Sequence, residues 1–291
     1  MNWQRGLKVK SNYPLKNRTT FKIGGPAEYF CVPKDLSTLK RLIIQAKKNK
    51  VPYFIIGAGS NLLISDRGVK GLVILLNSAY FKKIKVKREF IEAQAGASLS
   101  SIIKFALDRS LSGLEFLSGV PATLGGAIAM NAGCWGKEIS GLVDEVRVMD
   151  SFGKVKRLKK KMIKFGYRRS GLKKYIILGA RLKLSQDKKE KIRQNIKECL
   201  LKRYKAQGRV FYSAGSIFKN PKGDYAARLI ERCGLKGKES GGAIVSRKHA
   251  NFILNKGNAK ADDVLRLIKL IRAKVRKKFG VDLKPEIHIL S

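Results

Sequence analysis

The chain has 291 residues, 44% of them hydrophobic, with 63 Lys and Arg against 21 Asp and Glu, a formal net charge of +42. That length suits one large domain or two with sizeable cores, and apolar residues spread along the whole chain exclude a disordered polycation. No apolar run reaches the roughly 18 residues of a membrane span. The first twenty residues lack the apolar core of a secretory signal, so a cytoplasmic protein with no membrane association is expected.

The elements follow in chain order. Residues 36–50, LSTLKRLIIQAKKNK, read as an amphipathic helix behind a Pro33-Lys34-Asp35 start signal. VPYFII is a short apolar strand entering a glycine turn, GLVILL at 71–76 a second strand, and IKVKREFIEAQAGA from Ile84 an alternating hairpin. Residues 98–110 read as a helix with Leu99, Ile102, Ile103 and Ala106 on one face. The glycine-dense stretch 113–136 reads as irregular and close-packed. VDEVRVMDSFGKVKRL gives two strands about a Ser-Phe-Gly turn, and YIILGARLKL from Tyr175 another strand. The composition shifts near Ser185, where a long charged helix, DKKEKIRQNIKECLLKRYKAQ, marks a boundary between two units. A short helix lies within 223–234. A longer one over 262–279 carries Val264, Ile268, Ile271, Val275 and Phe279 on one face. The pattern is α+β, and two units meeting face to face would put a ligand cleft at their junction.

Charge and cysteines narrow the chemistry. The basic residues are scattered over every segment, so most of the excess reads as a solvated surface that favours anions without selecting one. A basic stripe with interleaved aromatics is missing, as is any RNA or zinc motif, so nucleic-acid binding is not expected as the main role. Cys31, Cys134, Cys199 and Cys233 lie far apart and His249 and His288 are the two histidines. No metal site and no disulfide framework are expected.

Two small-residue loops carry the sharper signal. FIIGAGSNLLISD (54–66) suggests a dinucleotide fingerprint, but Leu62 stands where the third glycine belongs and strand rather than helix follows. A tight turn remains, whose bare amides can cradle a diphosphate. SGVPATLGGAIAMNAGCWG (118–136) projects few side chains, so its backbone can approach a large flat ligand. Together the loops suit an extended ligand with a diphosphate at its middle, and a flat redox cofactor better than a mononucleotide. A tightly packed helix or bulge is the competing reading of the second loop.

These loops resemble the flavin-binding half of the UDP-N-acetylenolpyruvoylglucosamine reductase (MurB) family. TTFKIGGPA (19–27) resembles its entry motif, GAGSNL (57–62) its first FAD loop, and GVPATLGGA (119–127) with NAG (131–133) its second. YRRS from Tyr167, AGSIFKNP from Ala214, GGAIVSRKHANF from Gly241 and LKPEI from Leu283 follow in family order, over roughly residues 17 to 288. The strand from Tyr175 follows Ser170 without an inserted loop, as in the shorter second type of the family. QGRVF from Gln207 departs from the family, where proline commonly follows the glutamine.

The resemblance implies a two-part FAD-binding domain of the vanillyl-alcohol-oxidase (PCMH) type over 17–185. A smaller α+β substrate domain over 186–291 follows, its terminal strand returning to the active site. It implies NADPH-dependent reduction of an enolpyruvyl ether on a UDP-sugar to UDP-N-acetylmuramate, for peptidoglycan. It places FAD on Gly57, Ala58, Gly59, Ser60, Asn61 and Leu62 of the first loop and on Gly119, Val120, Pro121, Thr123, Gly125, Gly126, Ala127 and Gly133 of the second. Arg168 is the carboxylate clamp, since a guanidinium binds bidentately and keeps its charge; Arg169 is its less favoured neighbour. The resemblance favours burial of Glu286 beside Arg168, either as an acid or as its orienter. Ser216 is the proton donor to the α carbon. Lys219 and Asn220 help hold the UDP-sugar. His249 is mostly structural, with a substrate contact as the second possibility. Another oxidase of the same flavin fold is the nearest alternative, opposed by the Ser216 and Glu286 motifs. The sequence carries no signal of oligomeric state.

Overall fold

A computed structural model describes residues 6–208 and 212–291. Residues 209–211, inside the QGRVF segment, lie outside the described residues. The chain divides into two compact units interleaved along the sequence. The first takes the residues up to Ser11 with Tyr29–Ala58 and Gly71–Lys202; the second takes Asn12–Glu28, Gly59–Lys70 and Arg203–Ser291.

In the first unit, an antiparallel five-stranded sheet runs in the order Val155–Lys159, Val143–Met149, Ile176–Lys183, Phe90–Gln94, Ile84–Lys87. Ile91, Ala93, Val146, Val148, Ala180 and Leu182 point to one face, as period-2 alternation requires, and join a buried cluster. Helix α1 (Leu36–Lys48) starts where the Asp35 side chain accepts the Thr38 N–H at 2.8 Å, and it buries Leu39, Leu42, Ile43 and Ala46. That face packs in a second cluster with Leu72 and Ile74, near the strand Tyr53–Ile56, which pairs in parallel with 72–75. Helix α2 (Leu99–Asp108) is capped by Ser98 and buries the four apolar residues its spacing predicted. The irregular reading of 113–136 is corrected here: helix α3 (Leu124–Ala129) forms inside it, capped by Thr123. Glycine disfavours such a helix. Here Leu124 N–H and Gly125 N–H are tied to the Ala97 and Ala95 carbonyls, each at 2.9 Å. Helix α4 (Lys189–Gln207) is the long charged helix, and Ile192 is buried on it.

The second unit has its own apolar cluster, built from Phe21, Ile23, Leu63, Ile217, Phe218 and the inner faces of helices α5 (Ala226–Arg232) and α6 (Ala261–Phe279). On α6, Val264, Ile268, Ile271 and Val275 are buried as predicted and Leu267 joins them. Phe279 is only half-buried, being the last residue before the left-handed Gly280 cap at φ +69°. Three short antiparallel strands, Glu239–Ser240, Ala243–Val245 and Ile253–Asn255, cover one side of this cluster. The terminal strand His288–Leu290 pairs in parallel with Leu62–Ile64. Among the described residues no helix is long and apolar enough to cross a membrane.

Candidate functional site

In the first unit the two glycine loops interlock. A Cβ added at Gly57 would lie 2.3 Å from Thr123 Oγ1, the hydroxyl that accepts the Gly126 N–H at 3.4 Å. One added at Gly125 would lie 3.0 Å from the Ala95 Cβ. Gly119 turns the chain at φ +78°. Gly119, Pro121 and Gly126 are exposed, and a Cβ at Gly126 would meet only Thr123 Oγ1, at 3.6 Å. Val120, Thr123 and Gly125 are half-buried, Ala58 is exposed, and Ala127 and Gly133 are buried. Ala127 packs in the core, and a Cβ at Gly133 would strike the Lys137 carbonyl at 2.3 Å, so neither position offers side-chain surface.

Arg168 sits in a two-residue turn closed by Gly166 and Arg169, which exchange N–H···O bonds of 3.1 Å each way. Its φ is +53°, a left-handed conformation that a long side chain adopts only where its surroundings impose it. Those surroundings are specific. Asn131, fully buried, donates through Nδ2 to the Glu138 carboxylate at 2.7 Å and to the Gly166 carbonyl at 3.1 Å, and accepts the Ser140 N–H at 3.1 Å. On the other flank, Ser170 donates to the Ala129 carbonyl through both N–H and Oγ at 3.1 Å. The guanidinium Nη2 donates to the Gly133 carbonyl at 3.0 Å, and Cζ lies 5.0 Å from the Tyr167 ring centroid.

In the second unit three motif segments lie side by side. Ser216 opposes Phe252 and Phe218 opposes Pro285 across antiparallel bridges. Glu286 N–H donates to the Ile217 carbonyl at 2.7 Å, and Lys219 N–H to the Lys284 carbonyl at 2.9 Å. The structure thus brings Ser216 and Glu286, both half-buried, onto adjacent chain segments. The end of the first glycine loop joins them. Asn61 Nδ2 donates to the Glu286 carbonyl at 3.1 Å, and the Asn61 carbonyl accepts the His288 N–H at 2.9 Å. Gly59 is buried at φ +66°, and a Cβ there would lie 2.2 Å from the Arg18 carbonyl; Ser60, Asn61 and Leu62 are half-buried. Arg168 belongs to the first unit and Ser216 and Glu286 to the second.

Asn220 is exposed, and its Oδ1 accepts the Ala226 N–H at 3.1 Å, capping α5; Lys219 is half-buried. His249 packs edge-to-face on Phe252, ring centroids 4.8 Å apart, with a buried Nδ1 that has no hydrogen-bond partner among the described residues. Burial holds its imidazole pKa below the ordinary 6.5, so it is neutral at physiological pH. Among the described residues no cluster of His, Cys, Asp or Glu could hold a metal, and burial pushes the Cys31 thiol up to about 11.

Sequence reasoning missed Asn131, Asn251 and Asp66. The first two stand inside the NAG and HANF motifs, which marked them without revealing what their amides hold. Asp66 Oδ1 and Oδ2 accept the Ala261 and Asp262 N–H groups at 2.8 and 3.2 Å, at the start of α6.

Comparisons with known proteins agree with this geometry. The family profile described as "FAD binding domain" matches residues 27–159. That described as "UDP-N-acetylenolpyruvoylglucosamine reductase, C-terminal domain" matches residues 205–290. The chain is 46% identical over 286 residues to the UDP-N-acetylenolpyruvoylglucosamine reductase of Caldanaerobacter subterraneus subsp. tengcongensis, covering 98% of this chain and 94% of that one. It is 43% identical to the enzyme of the same name from Clostridium tetani, covering 97% and 92%. Among solved structures it resembles the UDP-N-acetylenolpyruvylglucosamine reductase of Thermus caldophilus, with a TM-score of 0.84, 35% identity and 98% of each chain covered. A solvent-stable cholesterol oxidase, at 15% identity and TM-score 0.51 over 63% of this chain and 39% of that one, shares the fold alone. The FAD-binding fold expected of the first loops is therefore present.

Proposed function

This chain belongs to the UDP-N-acetylenolpyruvoylglucosamine reductase family, an FAD-dependent oxidoreductase, and from that premise we propose that it reduces the enolpyruvyl ether of UDP-N-acetylglucosamine to UDP-N-acetylmuramate with NADPH. The pathway served is peptidoglycan precursor synthesis, in the cytoplasm. We assign FAD binding to residues 17–185 and substrate binding to 186–291, with the terminal strand returning to the active site.

The residues present fit FAD. Gly119, Pro121 and Gly126 offer exposed backbone, with only Thr123 Oγ1 in contact where a Gly126 Cβ would project, and Gly57 and Thr123 lock the two loops together. Ala58, Ser60, Asn61, Leu62, Val120 and Gly125 would complete the cradle, with Gly59, Ala127 and Gly133 contributing main chain. Bound FAD supplies a two-electron carrier that NADPH reduces and that can deliver hydride to a carbon–carbon double bond.

The remaining chemistry falls to side chains of this chain. An enol ether is electron-rich and takes hydride at its methylene carbon only if its carboxylate accepts the charge. Arg168 binds that carboxylate; its guanidinium keeps its charge at every working pH, and the strained turn fixes its direction. Glu286 assists at the same group, as acid or as orienter of Arg168. The Ser216 hydroxyl gives its proton to the α carbon, closing the two-electron reduction. A serine is a weak acid, so it serves only a strongly basic carbon and must be reprotonated by a neighbour or water. Lys219 and Asn220 hold the UDP-sugar, and His249 is structural, packing on Phe252, with a substrate contact as its second possibility.

The backbone bond between Glu286 and Ile217 supports this reading, because it sets the proposed acid segment against the Ser216 strap. An anaerobic titration tests it. NADPH should bleach the flavin absorbance, and the enolpyruvyl substrate should restore it. Flavin that stays bleached on adding that substrate refutes the assignment.

A further inference from the structure

The Ser216 strap is held by a buried side chain that has no part in the chemistry above. Asn251 is 3% exposed and lies within an apolar cluster that includes Ile217, Phe218, Ala250 and Ile253. Its Oδ1 accepts the Phe218 N–H at 2.9 Å and its Nδ2 donates to the Phe218 carbonyl at 2.8 Å. Its own carbonyl accepts the Ile217 N–H at 2.8 Å. One residue therefore answers three main-chain groups in the two positions after Ser216. The carboxamide acts as a neighbouring strand would, with donor and acceptor at the spacing of a peptide unit. Before Ser216, Gly215 turns the chain at φ +73°; its N–H donates to Ser213 Oγ at 3.4 Å, and the Ser213 carbonyl accepts the Thr20 hydroxyl at 2.6 Å. Asn251 holds the other side.

We propose that Asn251 is a positioning residue for the protonation step, setting the main chain so that the Ser216 hydroxyl is aimed at the α carbon. The proposal rests on the reading of Ser216 as proton donor. Burying a carboxamide in an apolar cluster costs free energy unless every polar atom is bonded. A position used for packing alone would be filled more cheaply by leucine. Displacing a reacting group by about 1 Å costs on the order of 100-fold in rate, so a small slip of the strap suffices.

The test uses the FAD-loaded enzyme and two variants. Asn251→Asp keeps the acceptor for the Phe218 N–H and sets a carboxylate against the Phe218 carbonyl; Asn251→Leu removes both bonds at nearly constant volume. Each is reduced anaerobically with NADPH and then mixed with the enolpyruvyl substrate. Flavin reduction by NADPH should stay within about twofold of the native rate, while reoxidation by substrate falls about 10- to 100-fold. The solvent deuterium isotope effect on reoxidation should rise. Amide hydrogen exchange at Ile217 and Phe218 should quicken in both variants. Joined to Ser216→Ala, neither change should slow reoxidation further, because a misaimed donor and a missing donor are the same defect. Reduction and reoxidation falling together, or deficits that multiply in the double variants, would overturn the proposal. A slow Ser216→Ala beside a native-rate Asn251→Asp overturns the positioning role alone. A native-rate Ser216→Ala instead removes the proton-donor reading beneath it.

Discussion

Replacing Gly57 by alanine should expose the lock between the two glycine loops. The added Cβ would stand 2.3 Å from Thr123 Oγ1 and 3.4 and 3.5 Å from its Cβ and Cγ2. Carbon contacts are comfortable at about 3.5–4.0 Å, so only the hydroxyl collides, by more than about 1 Å. Two responses are open. If the backbone yields, overpacking costs about 1–3 kcal/mol. If Thr123 turns its hydroxyl away, the bond to Gly126 N–H is lost and with it the cap of α3, about 1 kcal/mol. Either way the surface offered to the cofactor moves. Thermal melts of apo and FAD-loaded protein measure the loss, at about 2–4 °C per kcal/mol for a unit of this size, and flavin content after purification measures the second effect. Thr123→Ala alone should cost about 1 kcal/mol. Since alanine at 123 removes the colliding atom, Gly57→Ala should cost little on that background, a coupling of about 1–2 kcal/mol. Strictly additive losses, or a Gly57→Ala protein with native stability and flavin content, would refute the lock.

Asp66→Ala should cost about 1–2 kcal/mol in urea melts, because it frees two N–H groups in the first turn of α6, and Asp66→Asn should recover most of it; an unchanged Asp66→Ala protein would show that water caps this helix as well. His249 gives a pH dependence. Its folded pKa lies below 6.5, so as pH falls the unfolded chain takes the proton first. The neutral ring's contribution is complete above 6.5 and drains away as pH drops through the folded value. Between about pH 7 and about pH 5 the Tm of His249→Phe should therefore fall less steeply than that of the native protein, with His288, exposed on the terminal strand, as the control. Equal slopes would remove burial as the cause.

The helix faces were legible because they are local. Leu39, Leu42, Ile43 and Ala46 repeat at the helical period, and the structure buries those four. In Val143–Met149 the alternation holds only from Val146 to Val148, since Glu145 and Met149 beside them are buried as well. Helix α3 was illegible for the opposite reason. Its sequence, LGGAIA, carries two adjacent glycines that disfavour a helix, and what holds it is Thr123 below and the Ala95 and Ala97 carbonyls beside it. The asparagines were half legible. NAG and HANF stood out as motifs, but Asn251 reaches a partner 33 positions away, which no local pattern encodes.

By itself the sequence determined the α+β class, the helix and strand faces and the order of the motifs, since those depend on periodicity, turn chemistry and residue type within a few positions. Tertiary structure decided which distant segments share an edge. Residues 59–70 join the unit formed by the last third of the chain, where Leu62–Ile64 pairs with His288–Leu290 and Asp66 caps α6. The same pairing sets Asn61 against Glu286, and Asn251 likewise clamps the strap after Ser216. The physical reason is that a buried donor or acceptor must find a partner wherever the fold brings one, and sequence separation plays no part in that requirement.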